Sequence, residues 1–250
     1  HDMAAGGALE ELPDGAAVPA GSGGGFFPLG ARLPLLLRDP ARMPEAPASL
    51  EALLGAGEQT LAADSWADLL YEGMYALGRS MSGLSTADSA SSDYVRLHNL
   101  LARAAYDGAI VNEGNAADCV KRGLSAAAAV DSMSLVGTDA ALCVDPLPLP
   151  AGAEPRYAGV WMGFAVTKTD TATARFLQWL SGREQSTALA LSLGLVPFEP
   201  EDETGATSLE EALLTIGRGG TVSALDPGCS YLEHRDACEE RLRLSLDLLA

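Results

Sequence analysis

The side chains able to do covalent or acid–base chemistry are few and scattered. Besides His1, which with Asp2 and Met3 reads as residue from a cloning vector, the chain has two histidines, His98 and His234. His98 falls on a surface-facing stretch of a helical pattern, where a solvated imidazole is the better reading than a base. His234 stands among Glu233, Arg235 and Asp236, which fits a polar network at a helix start. Cys119, Cys143, Cys229 and Cys238 form no C-x-x-C pair and have no histidine at ligand spacing, so no zinc site is expected. Cys229 and Cys238 flank a loop-to-helix junction; a disulfide in an oxidising compartment and buried thiols fit the spacing equally. The G-x-S-x-G elbow, the G-x-x-x-x-G-K-[ST] phosphate loop and the H-E-x-x-H helix are all missing from the sequence. Gly21 to Gly25 lacks the preceding strand and the spacing of a dinucleotide loop. The expectation is a chain with no catalytic residues, no metal and no cofactor, hence not an enzyme.

Length and charge narrow the partners. The 250 residues carry 34 acidic and 16 basic side chains, a formal net charge of −18. Such a surface repels phosphate backbones and anionic membranes, and no Lys/Arg cluster reverses it locally, so nucleic acid is not an expected partner. Hydrophobic residues make up 48% of the chain, enough for a real core in one large or two small domains. No run approaches the ~20 apolar residues that span a bilayer.

The elements that must position any site alternate in type. Residues 4–25 are rich in Gly, Ala and Pro and read as a flexible lead-in. Phe26 to Leu37 has strand-like content broken by Pro28 and Pro34, as in an edge or crossover strand. Ser49 reads as the N-cap of a helix running to about Leu61. A second helix spans about Asp64 to Leu77, with Trp66, Leu69, Leu70, Met74 and Leu77 on one stripe. Ser80 to Ser92 reads as a loop, and helices are expected over Asp93–Asp107 and Ala116–Arg122. Strands are expected over Ser125–Val130, Ala140–Leu147 and Val160–Thr167, with further helices over Thr171–Leu180 and Arg183–Leu193. Ser208 to Glu211 has the form of a capping box, and a last helix covers about Leu232 to Leu249 with Cys238, Leu242, Leu246 and Leu249 on one face. Strands interleaved with helices mean an α/β architecture.

The stretch from Tyr157 to Pro197 resembles the extracellular solute-binding proteins of ABC importers, in particular the family 1, sugar-binding type. Gly159 and Trp161, Thr167 to Asp170, Ala174, Phe176, Leu177, Leu180, Gln185, Leu193, Gly194 and Pro197 match that family's order of strand, polar turn, two helices and a Leu-Gly…Pro turn. Upstream, Leu37-Arg38-Asp39 through Pro47-Ala48-Ser49-Leu50-Glu51 is similar to its Asn-Lys-Asp…Pro-Pro-x-Thr-Trp-x-Glu segment. Gly123 to Val130 and Pro146-Leu147-Pro148 are similar to its buried Ala-rich strand and Pro-x-Pro exit.

The resemblance implies an α/β, periplasmic-binding-protein-like (type II) fold lacking most of the amino-terminal lobe. On that basis, residues 1–25 are vector residue and lead-in. Residues 26–149 form the first part of the carboxyl-terminal lobe, 150–193 return to the amino-terminal lobe, and 194–250 supply the final helices. It also implies a non-catalytic receptor for a solute, with carbohydrate favoured, acting outside the cell or in the periplasm. Such a receptor docks on an ABC permease and meets the membrane only through a lipid anchor outside this chain. A non-transport interaction or sensor module that keeps the fold without a working cleft is the alternative.

A solute cleft needs an aromatic plate and polar side chains at strand ends. Trp161, flanked by Gly159 and Gly163, is a plate or a core residue. Asp131 and Ser132, at the end of the Ala-rich strand, are ligand contacts or turn caps. Trp66 and Tyr71 reach a cleft from the second helix, or pack in the core.

Overall fold

A computed structural model describes residues 10, 12, 25–79, 92–168, 170–200, 205–224 and 230–248 of the chain. The lead-in (save Glu10, Leu12 and Gly25), most of the Ser80–Ser92 loop, and Cys229 lie outside the described residues, as do the side chains of residues 230–234, His234 among them.

Two mixed sheets organise the described residues. One has the order β4-β3-β5-β2-β6 and is built from β2 (Pro34–Arg38), β3 (Leu61–Ala63), β4 (Ile110–Val111), β5 (Ala127–Asp131) and β6 (Cys143–Pro146). The other has the order β8-β1-β7-β9 and is built from β1 (Phe26–Arg32), β7 (Arg156–Ala165), β8 (Val196–Pro197) and β9 (Thr221–Ala224). The expected edge or crossover strand is thus two strands in two sheets, with the changeover at Leu33. Leu33 is tied to Ser132 in both directions: its N–H donates to the Ser132 Oγ at 3.4 Å and its carbonyl accepts from the Ser132 N–H at 3.0 Å.

Strand periodicity explains the first sheet's packing. β2 is central, so both of its faces are covered and Leu35, Leu36 and Leu37 are all buried. Leu36, with Ala127 and Ala129 of β5, faces a core made with α1 (Leu50–Leu54), α2 (Trp66–Ala76), α3 (Ser92–Tyr106) and α8 (Ser230–Asp247). Leu35 and Leu37, with Ala128 and Val130, face the opposite core, made with α4 (Ala116–Lys121) and α7 (Ser208–Gly219). The small alanines Ala127 and Ala129 of β5 share the first of these cores with the large side chains Trp66 and Met74 of α2. The second sheet packs Phe27, Leu29 and Val166 against Leu177 and Leu180 of α5 (Thr171–Leu180) and Ala190 of α6 (Arg183–Ser192).

Several boundaries differ from the expectation for identifiable reasons. The helix opened by Ser49 stops at Leu54, because Gly55, Gly57 (φ 129°) and Gln59 (φ 52°) turn the chain into β3. That three-residue strand is too short to show a period, yet it lies centrally, parallel to both β4 and β5. β7 begins at Arg156, four residues ahead of the expected strand. The capping box is shifted by one residue: the Thr207 hydroxyl accepts from the Glu210 N–H and the Glu210 carboxylate accepts from the Thr207 N–H. The Ser208 hydroxyl instead accepts from the Val144 N–H of β6, joining α7 to the sheet edge.

Candidate functional site

A cleft of about 380 Å³ opens where the two sheets meet, within the size range of small-molecule sites. Its floor is the crossover itself: Arg32, Leu33 and Pro34, with Ala129 and Asp131 from β5 beside them. One wall is Asp64, Ser65, Asp68, Tyr71 and Glu72, from the start and first two turns of α2. The facing wall is Ala158 and Val160 of β7, and Arg235 of α8 closes one end.

Local chemistry places α2 firmly. Ser65 is its N-cap and accepts from the Asp68 N–H at 3.0 Å. Glu239 of α8 brings a carboxylate to the same helix end, accepting from the Ala67 N–H at 2.8 Å and the Ser65 hydroxyl at 3.1 Å. Arg235 grips Asp68 with Nε at 2.8 Å and Nη2 at 2.5 Å, a bidentate pair at the mouth of the cleft. Arg32 and Asp131 form a looser pair at 3.6 Å across the floor. The Asp64 carboxylate accepts from the Ala116 N–H, so the N-terminus of α4 also helps shape this wall.

Glu72 is the one acidic residue in the fully buried run from Leu69 to Met74. Its Oε2 accepts from the Ala158 N–H at 3.0 Å, joining α2 to β7. Desolvation, with the Asp68 charge working in the same direction, pushes its pKa up to about 8 against the lowering effect of the Ala158 hydrogen bond. The Tyr157 hydroxyl is raised as well, by burial and then by Glu72.

The structure brings together two of the residues singled out from the sequence. Tyr71 and Asp131 both line the cleft, and Asp131 also caps the 3₁₀ turn Ser132–Leu135 by accepting from the Met133 N–H. Ser132 is buried behind them, with its hydroxyl used by the crossover. Trp66 is fully buried, and its Nε1 donates to the Asn112 Oδ1 at 2.8 Å. Trp161 lies off the cleft. β7 alternates, so Ala158 and Val160 face the cleft while Trp161 points to the other side and meets Phe198 edge-on at 4.9 Å. The flanking Gly163 serves packing: a Cβ there would stand 2.1 Å from the Phe27 carbonyl oxygen.

Arg32, Asp64, Asp68, Glu72 and Arg235 were not singled out from the sequence. The signal for Glu72 was present, as a carboxyl inside the apolar stripe of a helix. The others come from three segments that only the fold assembles.

His98 stacks on Tyr94 (6.2 Å between ring centres) beside a separate hollow between α3 and α8. Cys119, Cys143 and Cys238 are free thiols; burial raises the Cys238 pKa, with Glu239 adding to it. Among the described residues no group of three or more His, Cys, Asp or Glu could hold a metal ion, and no helix is long and apolar enough to cross a membrane.

Two sheets exchanging strands across a cleft define the α/β periplasmic-binding-protein-like fold, and comparison with known proteins agrees. No family model and no curated protein matches this sequence. Among solved structures, the maltose-maltodextrin binding protein of the thermoacidophilic bacterium Alicyclobacillus acidocaldarius aligns over 100% of this chain and 76% of its own, at 14% identity and TM-score 0.69. A cyclo/maltodextrin-binding protein complexed with maltotetraose aligns over 98% of this chain and 74% of its own, at 14% identity and TM-score 0.72. UgpB from Mycobacterium tuberculosis, in complex with glycerophosphocholine, aligns over 99% and 78%, at 14% identity and TM-score 0.62.

Proposed function

We propose that this chain is a non-catalytic receptor that holds a small carbohydrate between its two sheets. The observation that carries the reading is the composition of the cleft wall. It draws on both sheets, and its charges stand mainly as mutually held pairs, Arg235 with Asp68 and Arg32 with Asp131. Such pairs present fixed donors and acceptors to hydroxyl groups while offering little net attraction to an ion. Tyr71 supplies the aromatic surface of the wall, and Asp131 an acceptor at the floor.

Binding closes the two sheets about the crossover at Leu33, and the closed form docks on an ABC permease, with the chain outside the cell and held by a lipid anchor beyond it. The neighbours that bind maltodextrins support the carbohydrate class. The neighbour holding glycerophosphocholine makes that molecule the appropriate competitor probe. Isothermal titration calorimetry with maltose and with glycerophosphocholine tests the proposal. Saturable heat with maltose, lost when Arg235 or Asp131 is replaced by alanine, is expected. Binding of glycerophosphocholine alone overturns the carbohydrate class, and no binding of either probe overturns this receptor reading.

A further inference from the structure

We propose that the Glu72 carboxyl contacts the bound solute: one oxygen holds β7 through the Ala158 amide, and the other, carrying the acid's hydrogen, donates to an acceptor oxygen of the ligand. The inference rests on the carbohydrate reading and deepens it.

Geometry carries it. Glu72 is only 4% exposed, yet it lines the cleft, so the surface it keeps faces the cleft. Among the described residues its side chain makes one hydrogen bond, accepted by Oε2 from the Ala158 N–H. The second oxygen has no protein partner there. It is not among the fully buried unpaired atoms, so it keeps surface that a solute in the cleft can reach. The two arginines of the cleft are each engaged by an aspartate, Arg235 by Asp68 and Arg32 by Asp131.

Protonation follows from this setting. Burial and Asp68 hold the group neutral at neutral pH, and a neutral carboxyl has one acceptor oxygen and one O–H donor. The titratable and charged groups around it are few. Asp68 shares its helix, and Asp64 precedes that helix. Tyr157 and the ion-paired Arg156 belong to β7, Arg32 and Asp131 to the cleft floor, and Arg235 and Glu239 to α8. Tyr94 and His98 of α3 lie along the second hollow. With three aspartates against two arginines, the cleft does not favour an anion. A cation would take the ionised form of Glu72 and bind more tightly as pH rises. A polyol whose oxygen accepts from the Glu72 O–H binds less tightly as pH rises, whereas one that only donates to the carboxyl does not.

Two measurements test this. In ligand-free protein carrying ¹³C-labelled glutamate, the Glu72 carboxyl carbon is assigned by its loss in Glu72→Gln and followed against pH. A midpoint near 8 supports the proposal, and one near 4.5 overturns it. Maltose affinity is then measured by calorimetry from about pH 6 to about pH 9.5. The wild type weakens by about tenfold per pH unit above the midpoint, Glu72→Gln, which keeps an N–H donor, loses that slope, and Glu72→Leu binds at least about tenfold more weakly than the wild type below the midpoint, with no slope of its own. A flat wild-type profile, or one rising with pH, overturns the donor role while the carbohydrate reading stands. If maltose binds at no pH, the carbohydrate reading falls, and the carbon titration alone decides the state of Glu72.

Discussion

Arg235 of the last helix and Asp68 of α2 are 167 residues apart in sequence and share two parallel hydrogen bonds, at 2.8 and 2.5 Å, at one end of the cleft. The pair ties α8 to the helix that carries Tyr71 and Glu72. About a third of each side chain is exposed, so solvent screens the pair and its contribution to stability is modest, about 1 kcal/mol. Arg235→Lys keeps the charge and loses the fork. Thermal unfolding should show a small loss for Arg235→Lys and Arg235→Ala alike. Calorimetry with maltose should separate them from a purely structural change, with at least about a tenfold loss of affinity for Arg235→Ala.

The pH dependence of stability follows from Glu72, whose folded pKa of about 8 lies above the usual 4.5. Below about pH 4.5 both states hold the proton and the group exacts no penalty. Between 4.5 and 8 the unfolded chain has released it while the folded chain keeps it, so stability falls as pH rises, levelling off above 8. The full loss is on the order of 5 kcal/mol, at about 1.4 kcal/mol per pKa unit. Urea unfolding of wild type and Glu72→Gln at matched pH values checks this: the variant should lack the decline and be the more stable protein at alkaline pH.

Trp66 belongs to a hydrogen-bonded knot. Its Nε1 and the Arg243 Nη1 both donate to the Asn112 Oδ1 at 2.8 Å, and the Asn112 amide donates to Asp247. Trp66→Phe keeps most of the buried ring and removes one donor, costing about 1–3 kcal/mol. Denaturant unfolding should register that loss, and maltose affinity should stay within about twofold.

Gly163 lets β1 run against β7. A methyl group there would meet the Phe27 carbonyl oxygen at 2.1 Å and the Pro28 Cα at 2.8 Å, backbone atoms that cannot step aside individually. Gly163→Ala is therefore expected to cost about 2–4 kcal/mol. Hydrogen exchange should locate the damage in β1 and β7, with the five-stranded sheet unaffected.

Much of the fold was legible because its signals are local. The stripe of α2, the glycine stops at Gly108, Gly123 and Gly194 with φ between 69° and 73°, and the Leu242/Leu246 face of α8 all arise within a few residues of chain. β3, β4, β8 and β9 escaped notice because strands of two to four residues carry no period, and their identity depends on partners far away in sequence. The cleft was half visible. Tyr71 and Asp131 were reachable from a helix stripe and a strand end, whereas Trp161 read equally as a plate or a core residue, and the alternation of β7 carries it to the face opposite this cleft.

By itself the amino-acid sequence determined the α/β class, the positions of the principal helices, the strongly acidic surface and the absence of recognisable catalytic motifs, since each depends on composition or on neighbours within a turn or two. Only the tertiary structure decided which charges meet. Asp68 finds Arg235, Arg32 finds Asp131, and Glu72 reaches the Ala158 amide across more than 80 residues of chain. Burial and partnership are properties of space rather than of spacing, and they raise the pKa of the Glu72 carboxyl at the cleft wall.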